Sequence, residues 1–173
     1  MKIERRDILG PRRYEPARDD LRRHVIELKK HRRVSVGDRV SLVFENRATL
    51  TFQIEEMLRA EGVVDEAKTQ DEIDVYNELM PDADALSATL FVEIPQGEDA
   101  RAALGRLVGL DEHVALVVGP HRIGAAFAPG RQNISDNDQC LTVNTGHAHF
   151  FCDISQRSLN DLFIVPGSTA DYG

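Results

Sequence analysis

Seven polar residues in the first half of the chain have types and spacings that could perform chemistry. An arginine held among carboxylates and amides can bind a planar anion through two hydrogen bonds, and a carboxylate partly withdrawn from water has a raised pKa and can act as a base. The same groups could instead form a buried network that ties a strand end to two helices, which we favour because buried polar groups are normally paired. The seven residues are Glu45, Asn46, Arg47, Gln53, Glu56, Tyr76 and Asn77.

The helix predicted after Arg47 has two different faces. Its apolar side chains share an arc that should face a core, whereas Thr49, Gln53 and Glu56 line up along a polar face. Burying such groups without partners costs about 1–3 kcal/mol each. The pattern therefore predicts that this polar line lies inside the molecule and has partners, of which Glu45 and Arg47 are among the nearest.

A helix earlier in the chain, predicted from Pro16 to about His31, carries a basic flank beside its apolar stripe. With about 100° per residue, four cationic side chains fall on that flank. Their long stems could pack on apolar surface with the charged heads in water, which we favour, or the heads could form a cradle for an anion. The four candidates are Arg18, Arg22, Lys29 and Arg33.

Two histidines, His147 and His149, lie on a predicted strand late in the chain. The strand period of two puts both imidazoles on one face, where they could hold a divalent metal. Cys140 and Cys152 fall close enough in the predicted register for a Cys/His patch or a cross-strand disulfide. We favour histidines without metal because no third and fourth ligand is evident. The sequence requires no cofactor and leaves a divalent metal open.

These side chains must be positioned by an α+β fold, in which a helix-rich N-terminal half packs on a mainly antiparallel β-sheet formed largely by the C-terminal half. We expect one domain over residues 1–173, with an extended lead-in over 1–14 and a loose tail over 166–173. Late in the chain, closely spaced strands without intervening helices imply antiparallel pairing. These strands are His113 to Val118, Ile123 to Phe127, Gln139 to Val143, His147 to Ile154 and Leu159 to Val165.

Four further elements are predicted before these strands. A hairpin spans Val34 to Phe44 and turns at Gly37-Asp38. A helix from about Ala67 to Met80 is stopped by Pro81. A strand follows over Leu86 to Ile94, and a short helix covers Asp99 to Val108.

Composition excludes several classes of function. Hydrophobic residues make up 42% of the 173 residues and charged residues 29%, which is typical of a globular protein. Residues 1–47 hold 14 Lys/Arg against 8 Asp/Glu (+6), and the remaining 7 Lys/Arg face 21 Asp/Glu (−14). The acidic body argues against nucleic-acid binding, which depends on phosphate neutralisation. The longest apolar run is too short to cross a bilayer, and the N-terminus lacks a signal-peptide pattern, so we expect a cytoplasmic protein without membrane contact.

Several motifs in fixed order resemble one bacterial family. They are F-E-N-R-A-T-L-T-F-Q-I-E-E-M-L-R-A-E, D-I-L-G-P-R-R-Y-E-P-A-R, H-R-R-V-S-V-G, V-Y-N-E-L-M-P and L-S-A-T-L-F-V-E-I. Together they cover most of residues 5–120 and resemble the uncharacterised family called domain of unknown function thirty-five-oh-one. The resemblance implies a redox or oxidative-stress setting, beside rubrerythrin-like and iron–sulfur reductase-like proteins. It supplies no catalytic residue.

Three functional hypotheses follow. The first is an accessory protein that contacts another protein of this redox setting, and a homo-oligomer stays open. The second, from a different class, is a small-molecule or anion-binding protein, with catalysis left open, centred on Arg47, Gln53 and Glu56. The third is a divalent-metal-binding protein that uses His147 and His149.

Overall fold

A computed structural model describes residues 2–82 and 85–127 in full and the backbone of 147–151 and 162–166. By its internal contacts the chain divides into two compact units, one formed by Met1–Arg32 and Phe44–Asp82 and the other by Arg33–Val43 and Ala83–Gly173. The expected α+β class is confirmed, because the helices dominate the N-terminal half and antiparallel sheets the C-terminal half. Whether the chain is a single domain stays a prediction.

The first unit, called the helical unit here, contains three long helices. They are α1 (Pro11–Lys30), α2 (Arg47–Ala60) and α3 (Glu66–Asn77), and a 3₁₀ turn at Arg5–Asp7 precedes them. Helix α2 packs against both α1 and α3. The core of this unit is apolar and consists of Ile3, Ile8, Leu50, Ile54, Leu58, Ile73, Tyr76 and Leu79.

Helix α1 begins earlier than the predicted start at Pro16. Gly10, which precedes the first helical residue, has a φ of 75°, a left-handed conformation that glycine adopts without strain. This turn places Pro11 at the first helical position, where the missing N–H of proline is harmless. Residues 11–14, assigned above to an extended lead-in, are therefore helical, and Pro16 lies inside the helix. Tyr14 is fully buried in the first turns of this helix.

The second unit holds two sheets. The five-stranded sheet has the order β1 (Arg33–Val36), β2 (Val40–Phe44), β3 (Ala85–Val92), β7 (His147–Phe151) and β6 (Ala126–Phe127). The three-stranded sheet has the order β5 (His121–Gly124), β4 (Val114–Val118) and β8 (Leu162–Pro166). A short helix, α4 (Ala100–Gly105), and a 3₁₀ turn at Leu110–His113 complete the described elements.

The strand pairings agree with the pattern of close, antiparallel neighbours. β1 pairs with β2 around the Gly37 turn, β3 with β7, β6 with β7, and β4 with both β5 and β8, all antiparallel. The predicted strand Gln139 to Val143 and the tail beyond Pro166 lie outside the described residues.

Candidate functional site

A cleft of about 630 Å³ lies in the helical unit. Its walls come from the segment before α1, from α1 itself and from the first three turns of α2. Most of its surface is apolar. The side chains that line it are Asp7, Leu9, Tyr14, Leu21, His24, Val25, Asn46, Arg47, Ala48, Thr51, Phe52 and Glu55.

Arg47 and Asp7 form an ion pair at this cleft. Arg47 is the first residue of α2, and Asp7 ends the 3₁₀ turn, where it also accepts a hydrogen bond of 2.7 Å from the backbone N–H of Glu4. That backbone bond and the Arg47 guanidinium hold the pKa of Asp7 below its ordinary value. The side chain of Arg47 is still 39% exposed, although its Nε is shielded from solvent and has no hydrogen-bond partner among the described residues.

Glu55 is a buried carboxylate that lines the same cleft. Its side chain accepts hydrogen bonds from two consecutive backbone N–H groups, those of Leu9 and Gly10, at the start of α1. A carboxylate is favoured there because the first N–H groups of a helix have no partners within the helix. Glu55 is only 2% exposed, and this burial raises its pKa although the two N–H bonds oppose the shift.

Glu55 is not among the site residues predicted above, although the sequence holds a signal for it. Phe52 and Leu58 lie three residues before and after Glu55, so all three share one helix face. A carboxylate between two apolar neighbours on a helix face indicates a buried, hydrogen-bonded acid. The helical wheel indicates Glu56 as the site residue instead, because Glu56 continues the polar line with Thr49 and Gln53.

Glu56 lies at the centre of a second cluster. It receives the hydroxyl hydrogen bond of Tyr14 at 2.6 Å and a bidentate contact from Arg18 at 2.7 and 2.9 Å, while Arg59 approaches to 3.5 Å. The Arg18 bond is the main cause that lowers the pKa of Glu56 to about 2. Burial and the contact with Glu56 raise the pKa of Tyr14 above its ordinary value. Glu56 is therefore ionised at neutral pH and is a poor base.

A third cluster joins the strand end to the start of α2. The buried Glu45 accepts hydrogen bonds from the Thr49 hydroxyl and from Gln53 Nε2, the latter at 3.1 Å. Asn46 caps α2 by accepting from the Thr49 N–H at 3.0 Å, and its own N–H donates to the Thr49 hydroxyl oxygen at 2.9 Å. The residues predicted as a polar line thus have partners, as a buried network requires.

The structure separates the seven predicted residues into different groups. Asn77 binds the backbone of Ile3 twice, accepting from its N–H at 2.8 Å and donating to its carbonyl at 2.9 Å. Tyr76 is buried in the apolar core. Only Asn46 and Arg47 of the seven line the cleft.

The four residues of the predicted basic flank are also dispersed. Arg18 is held by Glu56, Arg22 is exposed, and Lys29 is half-buried. Arg33 belongs to β1 and not to α1, which corrects its place on the helix flank. The helix ends at Lys30, and Arg33 bonds to Ser41 at 2.7 Å and Glu93 at 3.1 Å while it lies 5.1 Å from the centre of the Phe91 ring.

The predicted metal site falls on residues whose side chains lie outside the described part. The backbone register places His147 opposite Thr89 and His149 opposite Ser87. Cys140 and Cys152 lie outside the described residues altogether. Among the side chains described for residues 2–82 and 85–127, no group of three potential metal ligands occurs.

Comparison with known proteins places the chain in a family. Residues 2–152 match the family model described as "Protein of unknown function (DUF3501)". The chain belongs to this family. The DUF3501 match covers both the cleft and the strands up to β7. No curated protein matches the chain.

A solved structure supports the same assignment of fold. The chain is similar to a novel protein of unknown function from Burkholderia pseudomallei, with 32% identity and a TM-score of 0.73. The match covers 87% of this chain and 76% of that one. Within the described part of this DUF3501 protein, no helix combines the length and apolar character that crossing a bilayer requires.

Proposed function

We propose that this protein binds a small organic molecule with an apolar body in the cleft of the helical unit. The observation that carries the proposal is the cleft itself, which is mainly apolar and has a volume of about 630 Å³. Small-molecule sites typically have volumes of about 300–1,000 Å³ and apolar walls with a few polar groups. Asp7, Arg47 and Glu55 would supply those groups here.

Binding fits the described side chains better than catalysis does. A nucleophile needs an activating base and access to substrate. Thr49 contacts the carboxylate of Glu45, but Thr49 is fully buried and does not line the cleft, so a substrate in the cleft would not reach its hydroxyl. Glu56 already has Arg18 and Tyr14 as partners and does not line the cleft.

This proposal revises the hypothesis centred on Arg47, Gln53 and Glu56. Arg47 lines the cleft, whereas Gln53 bonds to Glu45 and Glu56 bonds to Arg18. The ligand site therefore keeps Arg47 and adds residues from α1 and from the segment before it. The redox setting, the rubrerythrin-like or iron–sulfur reductase-like partner and the cytoplasmic location stay predictions, and a cleft-binding accessory protein is compatible with all three.

A cleft-filling substitution with a matched control tests the proposal. Ala48 lines the cleft and is the exposed second residue of α2, so Ala48→Phe should occupy cleft volume without disturbing the core. Ala67 is the exposed second residue of α3 and lies outside the cleft lining, so Ala67→Phe makes the same change elsewhere in the same unit.

The measurement is a thermal-shift screen of apolar and amphipathic small molecules against the full chain. A ligand at 100 times its dissociation constant should stabilise the protein by about 2.7 kcal/mol. We expect Ala48→Phe to remove the shift and Ala67→Phe to keep it. A shift that survives Ala48→Phe, or a library that gives no shift with the unmodified chain, would overturn the proposal.

A further inference from the structure

The charges that line the cleft do not balance, and this imbalance bears on the class of ligand. Asp7 and Arg47 neutralise each other in an ion pair. Glu55 also lines the cleft and, within the part of the chain described with side chains, takes part in no ion pair. Because Asp7 and Arg47 already offset each other, Glu55 is the cleft-lining carboxylate with which a cationic group could still pair.

Glu55 keeps capacity for a further partner. An ionised carboxylate offers about four lone-pair positions, and two backbone N–H groups, those of Leu9 and Gly10, are the hydrogen-bond donors found for it. Arg5 and Arg13 act on it only through longer-range attraction. A buried carboxylate is stabilised when a cation reaches it. A ligand that carries a positive group would therefore complete this site.

The aromatic wall of the cleft favours the same kind of group. Phe52 lies one helical turn before Glu55 and packs edge to face against Tyr14, with ring centroids 6.4 Å apart and an interplanar angle of 66°. Both residues line the cleft, but Tyr14 is fully buried, whereas Phe52 is partly exposed and can meet a ligand. The face of an aromatic ring attracts a cation through its quadrupole. Leu21 and Val25 on α1 provide apolar wall for the body of such a molecule.

An anionic ligand fits less well. It would compete with Asp7 for the guanidinium of Arg47, and Asp7 is also held by the Glu4 N–H. It would then lie near the negative charge of Glu55. A neutral ligand would gain apolar contact but nothing from Glu55.

From this charge and wall arrangement we infer that the cleft selects an organic ammonium ion, an amine with an apolar body whose charged group contacts Glu55 and the Phe52 ring. The inference rests on the proposed small-molecule function and specifies its ligand class.

Three probes with the same hydrocarbon body test it: 4-phenylbutylamine, 4-phenylbutan-1-ol and 4-phenylbutyrate. Their dissociation constants for the full chain are measured by isothermal titration calorimetry at neutral pH. The amine should bind about tenfold more tightly than the alcohol because it gains a charge-assisted hydrogen bond and a cation–π contact. The carboxylate should bind most weakly.

Two variants connect that preference to its residues. Glu55→Gln should reduce amine binding to the level of the alcohol while alcohol binding stays unchanged, which also shows that the cleft has kept its shape. Glu61→Gln, an exposed glutamate at the end of α2, should leave all three constants unchanged. Phe52→Leu keeps an apolar wall and should weaken the amine preference severalfold, which provides a test even if Glu55→Gln does not fold.

The outcomes separate the two proposals. Equal binding of the three probes, or tighter binding of the alcohol or the carboxylate, overturns the ammonium class but leaves the cleft as a small-molecule site. An amine preference that survives both Glu55→Gln and Phe52→Leu overturns it as well. Binding of none of the probes counts against both proposals.

Discussion

Glu55 and Glu56 are neighbours on α2, but the two sides of the helix give their carboxylates opposite properties. On the cleft side, Glu55 is buried, receives hydrogen bonds from two backbone N–H groups, and has a raised pKa. Glu56, which does not line the cleft, receives Arg18 and the Tyr14 hydroxyl, and its pKa falls to about 2. Burial therefore raises the pKa of Glu55, whereas the bidentate contact with Arg18 lowers the pKa of Glu56.

The two sides also differ in what they can do. Glu56 already has Arg18 and Tyr14 as partners, and these contacts hold α1 to α2. Glu55 receives two backbone N–H groups, takes part in no ion pair with the described side chains, and lines an open cleft. We therefore assign a structural role to the Glu56 side and a binding role to the Glu55 side.

Removing the cleft-side carboxylate should have the largest effect on stability. Glu55→Ala leaves the Leu9 and Gly10 N–H groups without their acceptor, which should lower the free energy of unfolding by about 2–3 kcal/mol. Urea denaturation followed by circular dichroism measures it. Glu61→Ala, on the exposed end of the same helix, should change it by less than about 0.5 kcal/mol. A stabilised Glu55→Ala variant would mean that desolvation of the charge outweighs its N–H bonds.

Removing one hydrogen bond to Glu56 should have a smaller effect on stability. Tyr14→Phe deletes the hydroxyl that bonds Glu56 but leaves the bidentate Arg18 contact, so we expect a loss of about 1 kcal/mol. In Glu56→Gln the bidentate contact should also weaken, and the Tyr14→Phe effect should shrink in that background. Fully additive effects of the two substitutions in a double-mutant cycle would mean that Tyr14 and Glu56 do not interact.

The smallest effect should appear in the pH dependence of stability. Below an ordinary glutamate pKa of 4.5 and down to about 2, the unfolded chain binds more protons than folded Glu56 does, so stability should fall as pH falls through this window. Glu55 acts in the opposite direction. Its folded pKa is raised, so its contribution is greatest at low pH and is lost as pH rises from 4.5 through the raised value.

Urea denaturation across this pH range, compared between variants, distinguishes the two sides. Glu56→Gln should flatten the acid side of the profile, and Glu55→Gln should remove the decline above pH 4.5. The same slope change in both variants would mean that the two carboxylates titrate as one coupled group.

Much of the fold was predictable because its signals are local. The hairpin turn at Gly37, the apolar arc of α2 and the close antiparallel strands all follow from periodicity and turn residues. The start of α1 was not predictable. Pro11 and Pro16 both suit a first helical turn, and only the conformation of Gly10 decides between them.

The candidate site was predicted only in part. The polar line on α2 was correctly expected to have partners, since burial without them is unfavourable. The identity of those partners could not be predicted, because the Arg18–Glu56 and Asp7–Arg47 pairs join residues that are distant in sequence. The cleft was missed for the same reason, as its walls belong to segments that meet only when α1 packs on α2.

Side-chain periodicity within single segments was enough to predict the α+β class, the helices apart from the start of α1, and most described strands. It also predicted the polar row on α2. Only the packing of α1 against α2 makes one of two adjacent glutamates a tightly paired anion and the other a buried carboxylate that lines a cleft. The physical reason is that a carboxylate's pKa depends on its surroundings. Here those surroundings are supplied by helix α1 and the turn before it, across a contact that no local pattern encodes.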